Sequence, residues 1–131
     1  MGMKYLVDTH VFLWLVGSPD KVPETTHAAL ADPDNELLVS AVSAMEVATK
    51  TRLGKLPDSG LLATWERRVV EIGATDLPLA TAAALTAGTM AWEHRDPFDR
   101  LLAAQAIHEA AVFVTVDRAF AHLSAPQVLT W

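Results

Sequence analysis

Three short runs of this chain are apolar almost without interruption: Tyr5-Leu6-Val7, Leu37-Leu38-Val39 and Ala111-Val112-Phe113-Val114-Thr115. A strand that lacks polar alternation is buried on both faces. Between these runs lie stretches with helical periodicity or helix-terminus signals. That alternation predicts an α/β fold, a small and mainly parallel sheet with helices on both sides. The chain has 131 residues, 51% of them apolar, which is enough for one core, so residues 1–131 are read as a single domain.

The expected order is a strand at Lys4–Asp8, a helix at Thr9–Val16 and a break at Gly17-Ser18-Pro19-Asp20. A helix at Glu24–Ala31 and the strand at Leu37–Val39 follow. The next helix runs to about Leu53, with Ser40 and Ser43 as candidate N-caps and Gly54 as its stop. A helix over Leu61–Ile72 carries Leu61, Leu62, Trp65, Val69 and Ile72 on one face. Thr75–Leu77 reads as a weak strand and Leu79–Trp92 as an alanine-rich helix. A helix at Pro97–Ala110 leads into the strand at Ala111–Thr115. A short helical piece at Asp117–His122 and a last strand at Val128–Thr130 complete the chain. Tyr5–Val16 is interrupted by Asp8 and His10 and is too short to span a membrane; with no export signal apparent, no membrane association and a cytoplasmic location are expected.

The acids fall near places where strands hand over to helices. Asp8 follows the first strand, Glu46 lies early in the helix after the second, Asp96 and Asp99 flank the start of the helix at Pro97, and Asp117 follows the strand ending near Thr115. In open parallel sheets ligands bind at the carboxyl ends of the strands. Each acid alone has a plainer explanation. Asp8, Asp96 and Asp117 are candidate helix caps, Asp99 suits a helix first turn, and Ser43-Ala44-Met45-Glu46 matches a capping box.

The set is harder to explain that way. Leu102, Ala103, Ala106 and Ile107 stand at i+3, i+4, i+7 and i+8 from Asp99, which places Asp99 on the apolar face of its helix. Glu46 has mixed neighbours, Val42 and Ser43 before it and Thr49 and Lys50 after it. Carboxylates packed together repel, and a hard divalent cation such as Mg²⁺ or Mn²⁺ relieves the repulsion. The chain has no cysteine and no paired-histidine spacing, so neither a disulfide framework nor a zinc site is expected.

At these residues the chain resembles the PIN-domain ribonucleases, in particular the VapC-type toxins of bacterial toxin–antitoxin pairs. The matching segments are Leu6–His10, Ser40–Ala48, His94–Ala106 and Val114–Phe120, in family order. The resemblance implies a PIN-like three-layer fold. It implies Asp8, Glu46, Asp99 and Asp117 as catalytic, metal-holding acids, with Asp96, Thr9 and Thr115 as accessory positions. It further implies Mg²⁺- or Mn²⁺-dependent cleavage of RNA, a homodimer and a cognate VapB-type antitoxin.

Net charge is −6, which opposes nonspecific nucleic-acid binding and puts the weight on local cations. Lys50, Arg52 and Lys55 beyond Glu46, and Arg95, Arg100 and Arg118 beside the other acids, are the candidate RNA contacts; the plain alternative for each is a solvated surface charge. Lys50 and Glu46 also stand at i,i+4, a pair worth about 0.3 kcal/mol. Phe12, Trp14, Leu15, Trp65 and Trp92 are candidate partner anchors, with core packing as the simpler reading. Two rivals stand beside the nuclease: a non-catalytic RNA- or protein-binding module, and a phosphatase or receiver-like protein. The second usually needs a paired acid at the first strand or a late lysine, where this chain has Thr9-His10 and Arg118.

Overall fold

The computed structural model describes residues 2–131. A five-stranded sheet of order β3-β2-β1-β4-β5 forms its centre, with β1 at Lys4–Val7, β2 at Glu36–Ser40, β3 at Ala74–Leu77, β4 at Val112–Val114 and β5 at Val128–Leu129. Every pairing is parallel. The helices are α1 (Thr9–Gly17), α2 (Glu24–Ala31), α3 (Ala41–Arg52), α4 (Leu61–Glu71), α5 (Thr81–Thr89) and α6 (Pro97–His108), with 3₁₀ turns at Pro19–Lys21 and Arg118–His122. Among the described residues no helix is long and apolar enough to cross a membrane.

Strand alternation divides the core in two. Val7, Leu37, Val39 and Val114 point to one face, where Val11 and Phe12 of α1 and Trp65 and Val69 of α4 cover them. Leu6, Leu38 and Phe113 point to the other, against Leu102, Ala103 and Ala106 of α6. The small side chains Ala83, Ala87 and Ala104 let α5 lie close against α6. Phe12 and Trp65 are therefore core residues and not partner anchors.

From β1 the chain builds outward through β2 and β3, then returns to lay β4 and β5 on the other side of β1. The order reverses between β1 and β4, which opens a crevice at the carboxyl ends of those two strands.

Several local expectations are corrected. Leu62 faces solvent rather than the core, because the buried stripe of α4 runs through Trp65 and Val69 and Leu62 stands off its edge. Ser40 caps α3 through the Val42 N–H at 2.9 Å, so Ser43 sits inside the helix and the Ser43–Glu46 capping box does not form. The alanine-rich helix stops at Thr89, short of Trp92, where Met90 turns to extended backbone. Helix α6 ends at His108, closed by Ala110 in the left-handed region at φ 51 and by the Ala111 N–H on the Ala106 carbonyl at 2.9 Å.

Candidate active site

Asp8 follows β1 and caps α1. Its Oδ1 accepts the Val11 N–H at 2.7 Å and its Oδ2 accepts the Thr115 hydroxyl. The Thr115 oxygen also accepts the Asp117 N–H at 3.0 Å, so one hydroxyl ties the loops after β1 and β4 together. Asp8 is only 8% exposed. Burial pushes its carboxyl above the usual range, against the Thr115 and Val11 hydrogen bonds that lower it.

Glu46 comes to the same place from α3 and is 7% exposed, more deeply buried than its mixed neighbours suggest. The Thr9 hydroxyl gives its proton to Glu46 Oε1 at 2.6 Å, and the Ser43 hydroxyl lies 2.9 Å from the same Thr9 oxygen. Lys50 Nζ pairs with Glu46 Oε2 at 2.6 Å. The expected i,i+4 pair thus forms, with its acid buried in the crevice. The Glu46 hydrogen bond, with the charges of Asp96 and Asp99 behind it, raises the Lys50 pKa and keeps the ammonium protonated.

Asp96 caps α6, accepting the Phe98 and Asp99 N–H groups at 2.9 and 3.2 Å, as Pro97 at the first helical position favours. Asp99 stands in the first turn of the helix. His94 Nε2 lies 2.7 Å from its Oδ2. Burial, reinforced by Asp96 and Asp117, drives the Asp99 carboxyl up to about 6, and the His94 hydrogen bond offsets part of that rise. Asp117 caps the 3₁₀ turn through the Ala119 N–H at 2.9 Å.

One crevice of about 600 Å³ is lined by all five carboxylates, Asp8, Glu46, Asp96, Asp99 and Asp117, with Thr9, His10, Lys50 and Lys55 beside them. Its donors are oxygens, the set that hard divalent cations take. Among the described residues no three of these acids converge on a single point as their side chains stand. Asp99 Oδ1 accepts no hydrogen bond within the described residues, so donor chemistry and a free oxygen both suit a cation that keeps part of its water shell.

The expected RNA contacts divide. Lys50 and Lys55 line the crevice, whereas Arg52, Arg95 and Arg118 are exposed outside its wall. Arg100 is corrected. Its guanidinium commits four of its five N–H groups to the carbonyls of Ala87, Met90, Trp92 and His94, which fastens the α5–α6 connection and leaves no free fork for phosphate. Sequence reasoning did not offer His94 or His10 as site residues and read Ser43 only as a helix cap. Ser43 shares a helical face with Glu46, but the His94–Asp99 contact crosses from a loop to a helix and has no periodic signature.

A parallel sheet with the order reversing at β1, and acids gathered at that reversal, defines a class, and the PIN domain family's sequence pattern matches residues 5–126. The chain belongs to that family. Within it, Ribonuclease VapC22 of Mycobacterium tuberculosis is 31% identical over 117 residues, spanning 86% of both chains. The fold is similar to VapBC2 from Rickettsia felis, solved bound to a promoter DNA fragment (TM-score 0.73, 17% identity, covering 98% of this chain and 99% of that one). It is also similar to the DNA-bound VapBC of Salmonella typhimurium (TM-score 0.69, 19% identity, 98% of each chain) and to VapBC-1 of Haemophilus influenzae (TM-score 0.66, 18% identity, 98% of each).

Proposed function

We propose that this chain is a Mg²⁺-dependent endoribonuclease toxin, able to use Mn²⁺, that hydrolyses RNA phosphodiester bonds in the cytoplasm. It works as a homodimer and is held inactive by a cognate VapB-type antitoxin. The observation that carries the reading is five carboxylates around one crevice at the sheet's switch point. The likeness to a VapC ribonuclease supports RNA as substrate, and the VapBC complexes among the structural neighbours support an antitoxin partner. The exposed Met45, Leu62, Val70 and Leu85 leave apolar surface for such partners.

Asp8, Glu46, Asp99 and Asp117 would hold the cation, which supplies a Lewis acid against the scissile phosphate. The chain's own groups prepare the rest. Thr115 and the Val11 N–H orient Asp8, while Thr9 and Lys50 orient Glu46. Lys50 and Lys55 bring positive charge to a crevice that would otherwise repel a phosphate chain. Leu13 and Leu56 contribute apolar surface to the crevice lining.

The test is incubation with total RNA and Mg²⁺, with and without EDTA, followed by mapping of the cleaved ends. Asp8→Asn and Asp99→Asn are expected to abolish cleavage while remaining folded. Cleavage in EDTA, or full activity in either folded variant, overturns the proposal.

A further inference from the structure

Asp99 alone among the site's acids has a histidine as its hydrogen-bond partner. Its partner, His94, belongs to the irregular segment between α5 and α6, five residues upstream. The His94 ring lies against Trp92, centroids 4.7 Å apart and planes inclined by 31°. Trp92 in turn packs 5.3 Å from the buried ring of Phe120. The backbone of the segment is fixed as well: Arg100 donates to the Met90, Trp92 and His94 carbonyls, and Arg100 is the residue after Asp99 on α6. Ring, backbone and carboxylate therefore form a closed circuit anchored in the core. His94 itself does not line the crevice wall, so it reaches the site through Asp99.

We infer that His94 is a positioning residue. By engaging Asp99 Oδ2 it fixes the carboxylate's rotamer and leaves Oδ1 as the one oxygen presented to the crevice. The inference rests on the reading that Asp99 holds a divalent cation. A freely rotating carboxylate would lose side-chain entropy on gripping an ion, whereas one already held loses little. Outer partners of this kind, a side chain that orients a ligand by hydrogen bonding to it, typically change metal affinity 10–100-fold when removed. Trp92 and Arg100 then explain why an imidazole on an irregular segment holds its place.

The experiment is Mn²⁺ titration of the full chain, followed by calorimetry and by the loss of the free Mn²⁺ paramagnetic resonance signal. It compares wild type, His94→Ala, His94→Asn, His94→Gln and Asp99→Asn, with melting in EDTA as the check on folding. His94→Ala and the too-short His94→Asn are expected to weaken Mn²⁺ binding about 10–100-fold. His94→Gln, whose amide N–H reaches the same oxygen, is expected to recover most of the loss, with metal-free melting close to that of His94→Asn. Wild-type affinity in His94→Ala or His94→Asn, or no recovery in His94→Gln, overturns the inference and leaves the nuclease reading intact. Wild-type affinity in Asp99→Asn, or no Mn²⁺ binding by wild type, overturns the metal reading and the inference with it.

Discussion

Replacing Asp99 by asparagine should cost activity and gain stability. The carboxyl sits at about 6 in the folded chain against an ordinary value of 3.8, because burial and the neighbouring acids disfavour its charge. Near pH 3 and below the group is protonated in both the folded and unfolded states and contributes almost nothing. Between pH 4 and 6 the unfolded chain releases the proton and the folded chain retains it. Stability therefore falls as pH rises through that window and stays lower above it. Each unit is worth about 1.4 kcal/mol, which sets a ceiling near 3 kcal/mol. The side chain is 19% exposed, and screening by solvent brings the expected figure to about 1–3 kcal/mol. Asparagine mimics the protonated acid and avoids the loss. For a domain of this size that is a rise in Tm of roughly 4–12 °C. Calorimetric melts in EDTA from pH 3 to 8 should show almost no gap at pH 3, a gap opening to pH 6, and a plateau beyond. Millimolar Mg²⁺ should narrow the gap by binding the wild type. A variant that is less stable at pH 8, or a gap independent of pH, refutes the reasoning.

Arg100→Ala should lower stability by about 3–5 kcal/mol in urea unfolding, since four carbonyls lose a charged donor, and Arg100→Lys should recover little because an ammonium cannot reproduce the fork. Thr115→Val removes a hydrogen bond that lowers the Asp8 pKa; its carboxyl should rise further, and the acid limb of the cleavage pH profile should move to higher pH, an unchanged limb counting against the assignment. Ala110→Gly relieves a left-handed backbone at φ 51 and should stabilise by about 0.5–1 kcal/mol, read from the urea midpoint.

The strands were legible because burial on both faces leaves no polar alternation, and Asp99 was legible because helical spacing set it among Leu102, Ala103 and Ala106. Glu46 was only half legible. Its own helix shows Thr49 and Lys50 nearby, and nothing in α3 reveals that Thr9 arrives from another element to bury it. Arg100 was misread for a related reason. Beside two acids it resembles a phosphate contact, but its partners are carbonyls of a segment whose path exists only after α5 packs on α6. Helix α5 likewise ends at Thr89, where Met90 turns to extended backbone and gives its carbonyl to Arg100. Local pattern reports propensity and facing; it does not report what crosses from a distant element.

The hydroxyl that joins Thr115 to Asp8 spans 107 residues of chain. At 5–20 residues per second, a ribosome takes roughly 5–20 s to make that stretch. Through that interval β1 has been synthesised but the strand that must lie beside it to form the crevice has not. A chain with the chemistry proposed here would therefore lack its complete crevice through most of its translation. The late arrival of α6 and β4 acts as a timer, and a circular permutant that brings both of them, with Asp99 and the Asp117 loop, ahead of β1 would shorten it.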